Sequence, residues 1–182
     1  MEVRREPLVL IKGRREAEAR SQAEKIAAAI RASAVNAEIV CTFLHEDCDA
    51  VEPAHVDVCA RIEGAMKRAR CPGEVHAVAP AWETEAWWFL WPEVLGQVNK
   101  HWKLPKRYSA AKTGTITNAK ERLKAELGKG QHGRNAYRES DSVSIAETIR
   151  DLGVADSPKA GRSLSYDRFR SSVRACCPKL GA

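Results

Sequence analysis

Residues 37–49, Ala-Glu-Ile-Val-Cys-Thr-Phe-Leu-His-Glu-Asp-Cys-Asp, decide the fold. Ala37 to Leu44 is rich in β-branched and aromatic side chains, which suit a pleated, half-buried surface, and the run stops at the polar cluster His45-Glu46-Asp47-Cys48-Asp49. Open α/β sheets gather ligands at the carboxyl ends of their strands, so the position of this cluster matters as much as its composition. Carboxylates at i and i+2 of an extended chain point the same way and can share a hard cation, which makes Asp47 and Asp49 a candidate pair for Mg²⁺ or Mn²⁺. The competing reading is a solvated strand-to-helix turn, where Asp is also common.

Working outward, Leu8-Val9-Leu10-Ile11 follows Pro7 and is closed by Lys12-Gly13, the pattern of a buried strand and turn. Glu16 to Ala32 then predicts a helix with Ala23, Ile26, Ala27 and Ile30 on one stripe. Downstream, a helix is expected from about Pro53 to Arg70, ended by Cys71-Pro72-Gly73, followed by a third strand over Glu74 to Ala79. The order βαβαβ implies parallel pairing with right-handed crossovers.

Beyond that unit, a helix entered at Glu83 to Glu85 is followed by a second helical piece at Pro92, since Pro is at home in the first turn of a helix. Leu104 to Thr117 lacks apolar periodicity and reads as a long loop. Asn118 with Glu121 and Ser144 with Glu147 have capping-box spacing for helices ending at Gly128 and Gly153, and a last helix is expected from Ser165. We therefore expect an α/β core over residues 1–103 and a basic loop with a helical extension over 104–182.

The charge is divided along the same line. Residues 1–99 carry 12 Lys+Arg against 16 Asp+Glu and residues 100–182 carry 18 against 8, a net −4 followed by +10. An acidic site in the first half and a polyanion-facing surface in the second fit that split, because clustered cations gain from counterion release on nucleic acid. A solvated basic face fits it as well. No stretch approaches the roughly 20 apolar residues needed to cross a bilayer, so a cytoplasmic protein without membrane contact is expected. The 6 cysteines are irregularly spaced and read as reduced thiols, mostly small core residues.

Several residues carry candidate chemistry. Glu83 and Glu85 follow the third predicted strand and could join the aspartates at one sheet edge, as two-metal phosphodiester hydrolysis would require; otherwise they are favourable charge at a helix N-terminus. Lys106, Arg107, Lys112 and Lys120 flank the long loop, whose Ser109, Thr113 and Thr115 add hydroxyl donors for phosphate. The Trp87, Trp88 and Trp91 cluster suits a core or a docking surface better than base stacking. His45, Cys48, His55 and Cys59 form a weaker zinc set. Gly13-Arg14-Arg15-Glu16 lacks P-loop spacing, which rejects nucleotide hydrolysis, and no basic recognition helix of a helix-turn-helix is present.

Three separated pieces, the strand ending Asp47-Cys48-Asp49, the helix start Trp82-Glu83-Thr84-Glu85-Ala86-Trp87 and the segment Ser165-Tyr166-Asp167-Arg168-Phe169, resemble an uncharacterised TOPRIM-like family. Their order and spacing agree over roughly residues 38–177. The resemblance implies a mostly parallel TOPRIM-like sheet flanked by helices and a role akin to the overcoming-lysogenization-defect nucleases, which work beside ABC-type ATPases in bacterial anti-phage defence. It further implies Mg²⁺ (or Mn²⁺) held by Asp47 and Asp49, with Glu85 as the further acidic ligand and Glu83 beside it. One departure stands out. TOPRIM domains begin with a strand ending Glu-Gly-x-x-Glu, whereas this chain has Lys12-Gly13-Arg14-Arg15-Glu16, with Lys where the first Glu belongs.

Two functions follow as expectations. One is a metal-dependent nuclease, or the nuclease subunit of an ATPase-associated defence complex, with nucleic acid as its further partner. The other is a catalytically degenerate TOPRIM-fold scaffold that docks through its tryptophans. Self-association stays open in both.

Overall fold

A computed structural model describes residues 11–34, 37–109, 111–127 and 135–176. The chain divides into two compact units that interleave along the sequence. The first comprises residues 1–46, 56–78 and 172–182, the second residues 47–55 and 79–171, so the boundary expected at 103/104 falls inside the second unit.

In the first unit the order is α1 (Glu16–Ser33), β1 (Cys41–His45), α2 (His55–Arg68) and β2 (Glu74–Val78), joined by the end of α7 (Leu164–Cys176). The expected α/β alternation is therefore present, with β1 and β2 parallel and in register from Cys41 opposite Glu74 to His45 opposite Val78. Among the described residues these two strands are the whole sheet. Most of the strand expected at Leu8–Ile11 lies outside the described residues; Ile11 itself is fully buried.

α1 buries Ala23, Ile26 and Ala27 of the expected stripe, with Ala19 one turn earlier in place of Ile30, which is half-buried, and carries Glu16 and Glu18 in its first turn, where negative charge meets the positive end of the helix dipole. α2 buries Cys59, Ile62, Ala65 and Met66 at the same helical spacing. The Arg31 guanidinium donates to the carbonyls of Ala69 and Arg70 at 3.4 and 3.0 Å, just beyond the end of α2, where backbone acceptors lack helical partners. Gly73 makes the entry into β2 possible: its φ is +73°, and a Cβ there would come within 2.7 Å of the Ile39 carbonyl oxygen.

α2 also closes the outer edge of β2. The Ala77 amide donates to Glu63 Oε1 at 3.0 Å and the Ala77 carbonyl accepts from the Cys59 thiol at 3.4 Å, so backbone groups that would otherwise recruit another strand are satisfied by side chains. On the β1 side, Glu46 accepts from the amides of Ile11 and Lys12 at 2.6 and 2.9 Å. The backbone at Ile11 and Lys12 is thereby tied to the residue that follows β1.

The second unit is helical: α3 (Glu85–Trp88), α4 (Pro92–Val98), α5 (Ala119–Leu127), α6 (Asp141–Asp151) and the larger part of α7. The expected loop over 104–117 holds two short 3₁₀ turns, at Lys106–Tyr108 and Thr113–Thr115. α6 begins three residues before the position its capping-box spacing suggests; Ser144 is interior, its carbonyl accepting from the Thr148 hydroxyl at 2.7 Å. The N-cap position is Ser140, which makes no side-chain cap hydrogen bond, and the Asp141 carboxylate in the first turn accepts from the Arg138 amide at 2.7 Å.

The core of this unit is aromatic. Trp87 stacks on Phe169 with ring centroids 5.4 Å apart and meets the edge of Tyr166 at 5.1 Å, while Trp91 meets Tyr166 at 4.9 Å. Each buried indole N–H has a partner: Trp87 donates to the Ser165 hydroxyl at 3.0 Å, Trp88 to Ser142 at 3.2 Å and Trp91 to the Val154 carbonyl at 3.1 Å. The docking surface expected from Trp87, Trp88 and Trp91 is corrected here, because all three are at least nine-tenths buried within their own unit. Their amphipathic rings are spent on packing plus one hydrogen bond each.

Candidate functional site

In the second unit, backbone hydrogen bonds join the segment that carries Asp47 and Asp49 to the segment that leads to Glu83. The Cys48 amide donates to the Pro80 carbonyl at 3.0 Å, the Asp49 amide to Trp82 at 2.8 Å and the Trp82 amide back to Ala50 at 2.7 Å. Asp49 and Trp82 both adopt left-handed backbone, with φ of 53° and 61°. Such conformations are uncommon outside glycine and cost free energy for a bulky residue, and they cluster at functional sites. Asp47 is half-buried and Asp49 exposed.

Glu85, on the first turn of α3, is half-buried and receives the Tyr137 hydroxyl at 3.3 Å. Burial pushes its pKa up, and the charges of Glu83 and Asp47 add to that, against the opposing pull of its own amide and of Tyr137. Asp47, Glu83 and Glu85 thus share one electrostatic environment. Tyr137 also bonds the Ser142 hydroxyl at 3.0 Å, and burial with the neighbouring Glu85 raises its own pKa so that it stays a neutral donor.

Glu83 has a structural partner. Its carboxylate accepts from the Lys120 amide at 2.6 Å, at the N-terminal end of α5 where backbone donors lack partners, and lies 3.8 Å from the Lys120 ammonium. Lys120 also approaches Glu139 at 3.5 Å, and the two carboxylates raise its pKa, Glu139 most. Of the four cations expected to meet nucleic acid, Lys120 is therefore paired, Arg107 pairs with Glu126 and lies over the Tyr108 ring at 4.9 Å, and Lys106 and Lys112 are exposed. The hydroxyl donors fare unevenly: Thr113 is fully buried and donates to the Arg162 carbonyl at 3.2 Å, Thr115 donates to Lys112 at 2.8 Å, and Ser109 is exposed. In the weaker zinc set, the Cys59 thiol is committed to the Ala77 carbonyl.

The donor set fits a hard divalent cation chemically, since Asp47, Asp49 and Glu85 supply only carboxylate oxygen. It is not drawn tight: no three of Asp47, Asp49, Glu83 and Glu85 bring their carboxylate oxygens within 4.8 Å of one another.

Sequence reasoning missed Glu52, which organises the segment after Asp49. Its carboxylate accepts from the Ser163 hydroxyl and the Ser165 amide, both at 2.8 Å, while its amide donates to Gly114 at 2.8 Å. A Cβ at Gly114 would overlap that carboxyl, so a larger residue there would have to displace the Glu52 side chain from these partners. Ser165 in turn accepts from the Ala81 amide at 3.2 Å. Its partners lie up to 113 residues away in sequence, beyond the reach of any local spacing rule. No protein-family model, curated protein or solved structure matches the chain.

Proposed function

We propose that the protein is a Mg²⁺- or Mn²⁺-dependent TOPRIM-like nuclease, acting as the nuclease subunit of an ATPase-associated anti-phage complex in the bacterial cytoplasm. One observation carries the reading: Asp47–Asp49 and Glu83–Glu85 leave the carboxyl ends of two paired parallel strands, and the Asp47 charge is felt at Glu85. Asp47, Asp49 and Glu85 would hold the ion, which when bound supplies charge stabilisation at a scissile phosphate and lowers the pKa of water. Glu83 tethers α5 and holds Lys120 close to the acidic group, while exposed Lys106 and Lys112 offer backbone phosphate contacts. Burial disfavours the ionised form of Glu85, and a bound cation would offset that by favouring its carboxylate. Among the described residues no helix is long and apolar enough to cross a membrane.

The second reading, a catalytically degenerate subunit that serves as a binding or regulatory scaffold, is favoured by the open spacing of the carboxylates and by Lys12 at the carboxyl end of β1, held there through Glu46. The two readings separate in an assay of the full chain, alone and with a co-encoded ATPase, on plasmid DNA, single-stranded DNA and RNA with Mg²⁺ or Mn²⁺. The nuclease reading expects cleavage that Asp47→Ala abolishes. Cleavage that survives Asp47→Ala, or no cleavage in any combination, favours the scaffold.

A further inference from the structure

A second set of ligating groups lies in the first unit and takes no part in the acidic site. Among the described residues, Cys41, His76 and Cys176 are the one trio of His, Cys, Asp or Glu whose ligand atoms all fall within 4.8 Å of one another. Cys41 opens β1, His76 is central in β2, and Cys176 closes α7. The strand register explains the first two: Cys41 stands opposite Glu74 and Phe43 opposite His76, so alternate residues of both strands project from one face.

Contrary to the reduced state expected for the cysteines, the sulfurs of Cys41 and Cys176 are joined in a disulfide across 135 residues, with Cα atoms 6.3 Å apart. That separation lets the two side chains reach either each other or one shared ion. His76 gives an independent indication of a ligand. It is 9 % exposed, its ring is stacked on Phe43 at 5.2 Å, and its buried Nε2 makes no hydrogen bond, with Glu74 standing 3.5 Å away. A buried imidazole nitrogen without a hydrogen bond is costly, and a metal ion satisfies it.

We propose that Cys41, His76 and Cys176 form a redox-gated zinc site. In the oxidised chain both sulfurs are bonded to each other and offer no thiolate. A dithiol reductant transfers two electrons and two protons, leaves as its own cyclic disulfide, and frees two thiols. Zn²⁺ entry then displaces the two thiol protons to solvent and places two thiolates and the neutral imidazole around the ion. Ligand atoms of a tetrahedral S₂N set lie roughly 3.5–3.8 Å apart, given Zn–S of about 2.3 Å and Zn–N of about 2.0–2.1 Å, so once reduced the two sulfurs part by roughly 1.7 Å from the about 2.0 Å of a disulfide. The fourth position goes to water or to Glu74. Soft thiolates with imidazole select Zn²⁺ over Mg²⁺, so this site does not compete for the ion of the acidic one. Either state ties the end of α7 to the start of β1, and the ligand present reports the redox state.

The test is titration of the full chain with Zn²⁺, and with Co²⁺ as a spectroscopic stand-in, in excess Mg²⁺, after reduction by a phosphine and after reoxidation. The reduced chain is expected to bind one ion at least about 100-fold more tightly than the oxidised chain, with a Co²⁺–thiolate charge-transfer band that carboxylate ligands cannot produce. His76→Gln and Cys176→Ser should each weaken binding by about 10-fold or more, and Cys177→Ser should leave it unchanged. Equal affinity in the two redox states, absence of the thiolate band, or undiminished binding by either ligand variant overturns the proposal. The comparison of redox states uses wild-type protein and so stands even where a variant folds poorly.

Discussion

The Asp49 amide donates to the Trp82 carbonyl at 2.8 Å, and both residues sit in left-handed backbone. A candidate ligand is thus held in a conformation that its own side chain does not favour. Glycine has no Cβ to oppose that φ and valine is β-branched, so Asp49→Val should be less stable than Asp49→Gly by about 1–2 kcal/mol. Urea unfolding of both variants checks this. Equal stability of the two variants would contradict it.

Ser165 makes a second kind of prediction. Its hydroxyl accepts from both the Ala81 amide and the Trp87 indole, so Ser165→Ala leaves two buried donors without this acceptor and should cost about 1–3 kcal/mol for each. Trp91→Ala, which empties a site 1 % exposed, should cost about 3–5 kcal/mol. Both losses appear in chemical denaturation; a loss of partner binding at unchanged stability would instead restore the docking role for the tryptophans.

Stability should fall in mild acid because of His55. Burial lowers its pKa, the Arg168 charge adds to that, and Glu52 opposes both. The unfolded chain then takes up a proton that the folded chain resists, so the full stability is present above the unfolded pKa of about 6.5 and declines as pH drops through it toward the lower folded value. Comparing urea midpoints at pH 7.5 and 5.5 for wild type and His55→Gln isolates the effect. The variant should show a smaller decline, and an equal decline would remove His55 as its source.

Glu85 titrates with the opposite consequence. Its raised pKa means the folded state holds the proton more firmly, so stability from this group is fully present below the unfolded pKa of about 4.5 and is lost as pH rises from there through the higher folded value. Glu85→Gln should therefore stabilise the metal-free protein at pH 7 relative to its effect at pH 4. Cation affinity should rise with pH over the same window, because entry of the ion displaces that proton. An affinity independent of pH between 4.5 and 7 would take Glu85 out of the ligand set.

The parts of the molecule legible in the sequence are those governed by local rules. The α1 stripe, the end of α2 at Cys71-Pro72-Gly73 and the β2 run all lie where hydrophobic period and turn chemistry put them. The start of α6 differs from the expected one because the Asp141 carboxylate ties the first turn back to the Arg138 amide, a contact that the Ser144 and Glu147 spacing does not reveal. The long-range partners were not legible. Glu52 reaches Ser165, Glu83 reaches Lys120 and Cys41 reaches Cys176 through tertiary contacts that no periodicity encodes. Part of what the two motifs share is also structural, since the Glu-Ala-Trp helix and the Ser-Tyr-x-x-Phe segment lock to each other through Trp87, Ser165, Tyr166 and Phe169.

The central claim is that Asp47 and Asp49 hold a divalent cation. The most direct test is calorimetric titration of Mg²⁺ and Mn²⁺ into the full chain, its Asp47→Ala and Asp49→Ala variants, and near-ultraviolet dichroism to verify that each is folded. The account predicts saturable binding by wild type, weakened in each variant by at least the roughly 10–100-fold that even outer-shell changes cost a metal site. No binding by the folded wild type, or binding that both variants retain, would contradict it and leave the scaffold reading in its place.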